Sequence, residues 1–345
     1  MDVTIVGAGP AGCKTAEIVA KSGYEVLVLE EHSKIGSPVQ CTGLVSREIG
    51  RVPKQIILNK INKAKFCCGN DFFEIKSKHP MLLLDRGKYD VWMAKNAKKA
   101  GAKIETSSRF LDFKNHTVFT NHGKFETKIL VGADGPNSLV AKSVGIKLPD
   151  NLLFAMQVNV NSSFDSNTVE LYFGSNVAPG AFAWVVPENE NTARVGLMTT
   201  QNPNRYLDRL LKARFNRTVF SNKIGDVIRY GLIEKSVSDK VLLVGDAACQ
   251  VKPFSAGGLV YNKIGAEIAG KAVITALEND NFSKDFLMKQ YDNRWKDKLI
   301  LPIMQGLLFK SIFSKMSEMP SIFSAIKIFG VTKLADFLNL DFLQK

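Results

Sequence analysis

Residues 1–30, MDVTIVGAGPAGCKTAEIVAKSGYEVLVLE, decide the fold of this chain. Two short apolar runs rich in β-branched residues flank a glycine-rich turn and a helical stretch, and an acid ends the second run. In order, the parts are a strand at Asp2–Val6, the turn Gly7–Gly12, a helix at Cys13–Ser22 that ends before Gly23, a strand at Glu25–Leu29 and the acid Glu30. This order is the βαβ fingerprint of dinucleotide binding, in the context that the motif requires.

The glycines and the acid have separate physical roles. Gly7 makes the tight turn, Gly9 lets the main chain approach a pyrophosphate, and Gly12 lets the helix pack closely on the strand. The free N–H groups and the positive dipole end of the helix face the anion. Glu30 is placed to accept hydrogen bonds from ribose hydroxyls, and a carboxylate there disfavours a 2′-phosphate. NADP is therefore unfavourable, and NAD and FAD remain.

Two later segments decide between these dinucleotides. Each is a buried strand that ends in an acid, and the second continues into a glycine pair that opens a helix. They are residues 129–138, with Asp134-Gly135, and residues 241–259, with Gly245-Asp246 and Gly257-Gly258 before a helix at Leu259–Leu277. Such acids and a free helix N-terminus suit a ribityl hydroxyl and a second phosphate, or a flavin carbonyl that gains charge on reduction.

In this order the motifs resemble those of the para-hydroxybenzoate-hydroxylase-like flavoproteins. The shared motifs are GAGPAG with Glu30, Leu84-Asp85-Arg86, the Gly132–Gly135 segment and the Gly245–Ala248 segment. Two other segments resemble the geranylgeranyl reductase branch. Pro38–Leu44 is similar to its Pro-x-x-Cys-x-Gly motif, and residues 172–187 are similar to its Tyr-Phe-Gly … Pro-Gly-Tyr-x-Trp-x-Phe-Pro pattern. The chain departs from that pattern at Phe182, where the branch has Tyr, and at Val186, where it has Phe.

The resemblance implies an FAD-dependent reductase of isolated carbon–carbon double bonds in geranylgeranyl chains. In archaea the implied substrate is the digeranylgeranylglycerol phospholipid precursor. Arg86, at a junction of strand and helix, is a further candidate to reach the cofactor, although a surface arginine is the alternative. The expected FAD contacts are Gly7, Gly9, Ala11, Gly12, Glu30, Glu31, Cys41, Arg86, Asp134, Gly135, Gly245, Asp246, Gly257, Gly258 and Leu259.

The resemblance also implies a cofactor domain that a substrate domain interrupts. Short alternating runs at Leu153–Val160, Thr168–Phe173 and Ala193–Met198 are typical of a mixed or antiparallel sheet. The predicted fold class is α/β (α+β overall): a Rossmann-type FAD-binding domain interleaved with a mixed or antiparallel β-sheet substrate domain, and a helical C-terminal extension. The predicted bounds are 1–55, 84–149 and 236–290 for the FAD-binding domain, 56–83 and 150–235 for the substrate domain, and 291–345 for the extension.

The implied chemistry needs an apolar tunnel, a flavin at its end and a proton source. The side chains of suitable type for tunnel walls are Phe154, Phe173, Phe182, Trp184 and Val186, and the predicted substrate contacts are Phe173, Phe182, Trp184 and Pro187. Cys41 is the predicted catalytic residue. Because a thiol with a pKa of about 8.5 is a poor acid toward an unactivated alkene, Cys41 is expected to position substrate or relay a proton from water. Purely structural roles for Cys41 and for the aromatic residues remain alternatives.

The amino-acid composition and the net charge limit the classes of binding partner that we expect for this chain. The 345 residues carry 46 Lys and Arg against 33 Asp and Glu, a formal net charge of +13. With 45% hydrophobic residues, the composition excludes a disordered chain. The basic balance favours an anionic lipid surface or a phosphorylated substrate, or serves solubility alone, and no tract is basic enough to predict nucleic-acid binding. The cysteines and histidines lack the spacing of a disulfide framework or a metal site.

The sequence predicts a cytoplasmic protein with peripheral membrane contact. The first residues do not resemble a signal peptide, and the apolar stretch Leu299–Phe309 is far shorter than the ~20 residues that a spanning helix needs. Lysine-edged amphipathic stretches after residue 290, including Ile322–Leu343, suit an interfacial helix or a cap on the protein's own core. Because no second GxGxxG follows, we expect an external electron donor such as reduced nicotinamide or ferredoxin.

Two other functions stay open on the sequence alone. One is an FAD-dependent monooxygenase of the same fold that acts on an aromatic compound or a polyene. The other is a non-catalytic electron-transfer flavoprotein.

Overall fold

A computed structural model describes residues 1–216, residues 220–314 and Phe323. Except for Phe323, the predicted amphipathic stretch Ile322–Leu343 lies outside the described residues. The strands are β1 (Val3–Val6), β2 (Val26–Leu29), β3 (Leu44–Val45), β4 (Ile57–Cys68), β5 (Asp71–Leu84), β6 (Lys103–Glu105), β7 (Phe110–Lys114), β8 (Thr117–Thr120), β9 (Gly123–Glu126), β10 (Ile129–Gly132), β11 (Leu152–Asn161), β12 (Thr168–Phe173), β13 (Phe182–Pro187), β14 (Thr192–Thr199), β15 (Ser221–Arg229), β16 (Val237–Ser238) and β17 (Val241–Leu243). The helices are α1 (Pro10–Lys21), α2 (Arg86–Lys99), α3 (Leu139–Ser143), α4 (Pro203–Phe215), α5 (Leu259–Glu278), α6 (Lys284–Leu287) and α7 (Asn293–Ser314).

The first sheet has the strand order β16-β17-β10-β1-β2-β6. All neighbouring strands are parallel except β16 and β17. β1, β2 and β10 are buried along their whole length, as expected for a parallel sheet that is covered on both faces. α1 begins at Pro10, three residues before the predicted start, because proline is favourable in the first helical turn. This is a Rossmann-type domain, and the predicted fold class is confirmed.

The second sheet has the order β15-β11-β14-β13-β12-β4-β5-β3. Only β12 and β4 are parallel within it, and the other neighbours are antiparallel. β11, β12 and β14 coincide with the three predicted alternating runs, which are confirmed as strands. β3 lies in a segment predicted for the FAD-binding domain, yet it pairs with β5. The loop that carries Cys41 therefore leads directly into the second sheet.

α7 joins the cores of the two sheets. Trp295, Leu299 and Ile303 are fully buried in the core of the first sheet, and Phe313 lies in the core of the second. A third, three-stranded antiparallel sheet of β7, β8 and β9 packs on α3. Across residues 1–216 and 220–314, no helix has the length and apolar character to span a bilayer.

Candidate functional site

A cavity of about 440 Å³ lies between the two sheets. The loops after β1, β10 and β17 form one side, and the second sheet forms the other. The carboxyl ends of parallel strands are the usual ligand-binding edge of an α/β sheet. Nine of the predicted FAD contacts line the cavity: Gly9, Ala11, Cys41, Arg86, Gly135, Asp246, Gly257, Gly258 and Leu259. The other six lie outside its wall: Gly7, Gly12, Glu30, Glu31, Asp134 and Gly245.

Two helix N-termini open on this cavity. α1 begins after Gly9 and α5 begins after Gly258, and neither glycine provides a capping side chain. The first main-chain N–H groups of both helices therefore have no side-chain partner at the cap and lie where an anion or a carbonyl oxygen is stabilised. A Cβ added at Gly9 would meet no heavy atom within 4 Å, so the space in front of α1 is open.

The glycine turn leaves no room for a side chain at Gly7 or Gly12. A Cβ at Gly12 would lie 2.0 Å from the carbonyl oxygen of Gly7. Gly7 has φ +102°, and a Cβ there would lie 2.3 Å from the carbonyl oxygen of Ala133. Gly7 and Gly12 therefore allow the turn to pack closely against the end of β10. Neither residue lines the cavity.

Glu30 holds the same turn from the end of β2. Its carboxylate accepts hydrogen bonds from the N–H of Ala8 at 2.9 Å and of His32 at 3.0 Å. The side chain of Glu31 points away and is 56% exposed, with Arg109 at 3.7 Å. Of the two adjacent acids, only Glu30 directs its carboxylate to the glycine turn.

Replacing Glu30 with alanine is expected to weaken FAD binding about 10- to 150-fold, since a charged acceptor is worth ~1.5–3 kcal/mol. Titration of apoprotein with FAD, followed by flavin fluorescence, measures the Kd. Glu31→Ala is the matched control and should change the Kd far less, because its side chain lies in solvent. Equal Kd values for Glu30→Ala and the unaltered protein would remove Glu30 from the cofactor site.

Asp246 lies in the cavity wall next to the start of α5. It accepts a hydrogen bond from Nδ2 of Asn262 at 3.0 Å. Burial raises the pKa of the Asp246 carboxyl, and the Asn262 bond opposes this shift. Oδ1 of Asn262 is buried and has no hydrogen-bond partner within the described part of the chain. Buried acceptors are usually paired with a donor, so an unpaired oxygen next to the cavity is unusual.

The carboxylate of Asp134 lies outside the cavity wall and is engaged within the protein. Its carboxylate accepts hydrogen bonds from Oγ of Ser138 at 2.7 Å and from the N–H of Val140 at 3.0 Å. Both oxygens thus bind groups at the N-terminus of α3, which begins five residues later. Burial raises the pKa of Asp134. Its neighbour Gly135 lines the cavity instead.

Arg86, Asp90 and Cys41 form a polar cluster in the cavity wall. Nε and Nη2 of Arg86 each bond the Asp90 carboxylate at 3.0 Å. Burial would lower the pKa of Arg86, but Cys41 and Asp90 beside it outweigh burial and raise that pKa above its ordinary value. Sγ of Cys41 accepts the N–H of Gly43 at 3.4 Å. A permanently charged guanidinium therefore lies beside the predicted catalytic thiol.

The Cys41 loop is fixed to the second sheet by side chains distant in sequence. Arg194 donates to the carbonyls of Thr42 and Leu84 and forms an ion pair with Glu188. Oε1 of Gln157 accepts hydrogen bonds from Oγ1 of Thr42 at 2.7 Å and from Nε1 of Trp184 at 3.2 Å. Gln157, which sequence reasoning missed, therefore links the Cys41 loop to a predicted substrate contact.

The wall on the second sheet is otherwise largely apolar. The apolar side chains of the sheet that line it include Ile61, Ala64, Phe66, Val169, Leu171, Phe182, Trp184, Val186 and Met198, and Phe254 of the loop before α5 lies in the same cavity wall. Phe182, Trp184 and Val186 were among the residues predicted for a tunnel. Such a surface accommodates a hydrocarbon chain without leaving polar groups unpaired.

Three residues that were predicted as tunnel walls or substrate contacts do not line the cavity. Phe173 is buried behind the wall, where Phe66, Phe182 and Phe254 pack around its ring. Phe154 is 38% exposed at the surface. Pro187 is buried at the end of β13, where its carbonyl oxygen accepts a hydrogen bond from Asn59. Phe173 and Pro187 support the sheet rather than contact the cavity.

The chain is similar to FAD-binding proteins in sequence and in fold. The model of the FAD binding domain family matches residues 1–262. An uncharacterized protein of Methanocaldococcus jannaschii is 32% identical over 98% of this chain and 90% of its own length. The digeranylgeranylglycerophospholipid reductase of the same organism is 30% identical over 92% of this chain and 88% of its own length. A solved structure of a geranylgeranyl bacteriochlorophyll reductase-like protein from Thermoplasma acidophilum superposes with a TM-score of 0.85 and 22% identity over 98% of each chain.

Proposed function

Because the chain belongs to the family of FAD-binding flavoproteins that includes the Methanocaldococcus jannaschii digeranylgeranylglycerophospholipid reductase, we propose that it is an FAD-dependent reductase of geranylgeranyl chains. Its substrate is a membrane-lipid precursor whose isolated carbon–carbon double bonds are saturated. The observation that carries the proposal is the continuity of the cavity. One wall presents two uncapped helix N-termini, and the other presents an apolar surface with Trp184 and the Cys41 loop.

The residues present fit FAD. The open space in front of Gly9 suits the pyrophosphate, and Gly257 and Gly258 leave the α5 N-terminus accessible to a flavin carbonyl. Asn262 contributes an acceptor that has no protein partner among the described residues. When bound and reduced, FAD supplies the hydride. We propose an external donor for its reduction, and supplying reduced nicotinamide or ferredoxin in turn to the holoprotein identifies which one reduces the flavin.

The second sheet offers what a prenylated lipid needs. The apolar wall extends across β11, β14, β13 and β12 to β4. On β4 and β5 it ends in polar side chains, with Asn62, Lys63 and Ser77 in the wall. A hydrocarbon chain along the sheet and an anionic head group near Lys63 match this distribution of apolar and charged surface.

Coexpression with a geranylgeranyl-lipid pathway tests the proposed function. Mass spectrometry of the extracted lipids should show a gain of two hydrogens for each double bond reduced. Gly9→Ala is the matched control, because a methyl group in the open space before α1 should exclude FAD. Lipids of unchanged mass would contradict the proposal, and an added oxygen atom would favour the monooxygenase.

We also propose that α7 contacts the lipid surface. Ile300, Leu301, Met304 and Leu308 lie on one helix face and are 39–60% exposed. Lys298 and Arg294 are exposed on the preceding turns, where the acidic Asp297 is also exposed. An apolar face next to cations suits the interface of an anionic bilayer.

Replacing Leu301 and Leu308 together with glutamate should reduce sedimentation with anionic phospholipid vesicles several-fold, because both apolar burial and charge attraction are lost. Leu111→Glu is the control, since Leu111 is 53% exposed on β7, away from α7. Vesicle binding that is equal in the double variant and the control would exclude this face as the contact.

A further inference from the structure

Asp226 is a carboxylate in the apolar wall of the second sheet. It lies on the edge strand β15, directly opposite Ala155 of β11, and it lines the same cavity as Cys41 and Asp246. Side chains two residues apart on a strand share a face, so Asp226 lies on the face of Ile224 and Ile228. An acid on an otherwise apolar face is unfavourable unless its chemistry is used.

Three charged or amide side chains of the cavity wall are engaged within the protein, whereas the Oδ1 atoms of Asn62 and Asn262 have no partner among the described residues. Arg86 is paired with Asp90, Asp246 accepts from Asn262, and Gln157 accepts two hydrogen bonds. Asp226 accepts only the N–H of Val227, at 2.7 Å, and forms no ion pair within residues 1–216 and 220–314. The adjacent carbonyl of Gly225 accepts Nε2 of Gln40 at 3.5 Å, which places the Cys41 loop beside this part of β15.

The surroundings of Asp226 favour its protonated form. Burial raises the pKa of the Asp226 carboxyl to about 6, and the negative charge of Asp246 adds to this shift. The Val227 N–H and the Arg86 guanidinium act in the opposite direction. Cys41, Asp90, Lys63 and Lys252 are the other ionisable groups in the cavity wall. With that pKa, Asp226 is a stronger acid than an ordinary thiol, whose pKa is about 8.5.

We propose that Asp226 is the proton donor of this site. The assignment rests on the proposed reduction of a carbon–carbon double bond. One alkene carbon takes the hydride that reduced FAD supplies, and the other forms a C–H bond with the proton of the Asp226 carboxyl. The alkene is reduced and the flavin is oxidised. The carboxylate that remains regains its proton from water at the cavity mouth, and the external donor restores the reduced flavin.

Asp226→Asn removes the acidic proton of this side chain but keeps its size and shape nearly unchanged. The variant should retain FAD and be reduced by dithionite, yet reduce a geranylgeranyl lipid at least 100-fold more slowly, as expected when a general acid is lost. The rate of the unaltered protein should fall with rising pH above the pKa of the acid, whereas the residual rate of Asp226→Asn should not follow that profile. Asp208→Asn, at an exposed position on α4, is the control and should retain both rate and profile.

Thermal stability provides a readout that is independent of turnover. Because the pKa of Asp226 is raised from 3.8 to about 6, only the unfolded state is ionised between these values, so this residue lowers stability as pH rises through that window. The amide that replaces the carboxyl in Asp226→Asn cannot ionise. The melting temperature of this variant, relative to the unaltered protein, should therefore be higher at pH 8 than at pH 4, and Asp208→Asn should show no such change.

The outcomes of these experiments distinguish a failure of the proposed reductase function from a failure of the role proposed for Asp226. If the unaltered protein reduces no prenyl chain, the proposed function fails, and the role of Asp226 fails with it. If the unaltered protein is active and Asp226→Asn retains its rate and pH profile, only the assignment of the proton donor is overturned. Loss of FAD from Asp226→Asn, or a melting-temperature difference that is constant with pH, would also overturn it.

Discussion

Gly12→Ala should yield little soluble protein and no bound flavin. The added Cβ would lie 2.0 Å from the carbonyl oxygen of Gly7 and 3.2 Å from Cβ of Ala133. Main-chain atoms cannot rotate away, so the cost should reach or exceed the upper end of the ~1–3 kcal/mol typical of overpacking. A loss of that size is a large part of the ~5–15 kcal/mol that stabilises a domain. Soluble yield, thermal unfolding by circular dichroism and the ratio of flavin to protein absorbance measure the effect.

Gly9→Ala is the matched control in the same turn. A Cβ at Gly9 meets nothing within 4 Å and the residue has φ −70°, so the variant should fold with an unchanged melting temperature as apoprotein. It should still lose flavin, because the methyl group occupies the approach to the α1 N-terminus. A folded Gly12→Ala that retains FAD would contradict the packing described for the turn, and a Gly9→Ala that binds FAD normally would contradict the proposed approach of FAD to the α1 N-terminus.

Cys41→Ser should reduce lipid turnover more than tenfold while FAD stays bound and reducible by dithionite. The helix N-termini and Glu30 lie elsewhere, so the cofactor contacts are retained. A hydroxyl is smaller than a thiol, much less acidic and differently hydrated beside Arg86, so substrate is positioned less well. The effect should be smaller than that of removing the acid, for which ~10²–10⁴-fold is typical.

Cys68→Ser is the control for that substitution. Cys68 lies at the end of β4 and does not line the cavity, so turnover should remain near that of the unaltered protein. Near-normal turnover of Cys41→Ser would return Cys41 to a structural role. Loss of FAD from Cys41→Ser would instead show that the loop holds the cofactor.

Features set by local constraints were predictable from the sequence. The first βαβ unit appears within a few residues of its predicted bounds, because a glycine turn, a proline in the first helical turn and β-branched runs each act over short distances. α5 begins at Leu259 as predicted and ends at Glu278, one residue later than expected. The runs of alternating residues that form β11, β12 and β14 were recognised for the same reason.

The partners of several polar side chains in the site come from other parts of the chain. Local sequence patterns do not contain these contacts. Gln157 meets Thr42, which is 115 residues away in sequence, and Asn262 meets Asp246 across the start of α5. Asp134 shows the reverse case, in which a nearby helix N-terminus takes the carboxylate expected to serve the ligand. For Asp226 a local signal exists, since an acid alternates with Ile224 and Ile228, but the polar residues before them hide the strand.

An anaerobic single turnover tests the central claim most directly. Purified holoprotein is reduced with dithionite, excess reductant is removed, and a geranylgeranyl lipid is added without oxygen. We predict that the visible absorbance of oxidised flavin returns and that the lipid gains two hydrogens for each flavin reoxidised. Flavin that stays reduced until oxygen is admitted, with a lipid of unchanged mass or with an added oxygen atom, would contradict the assignment as a reductase.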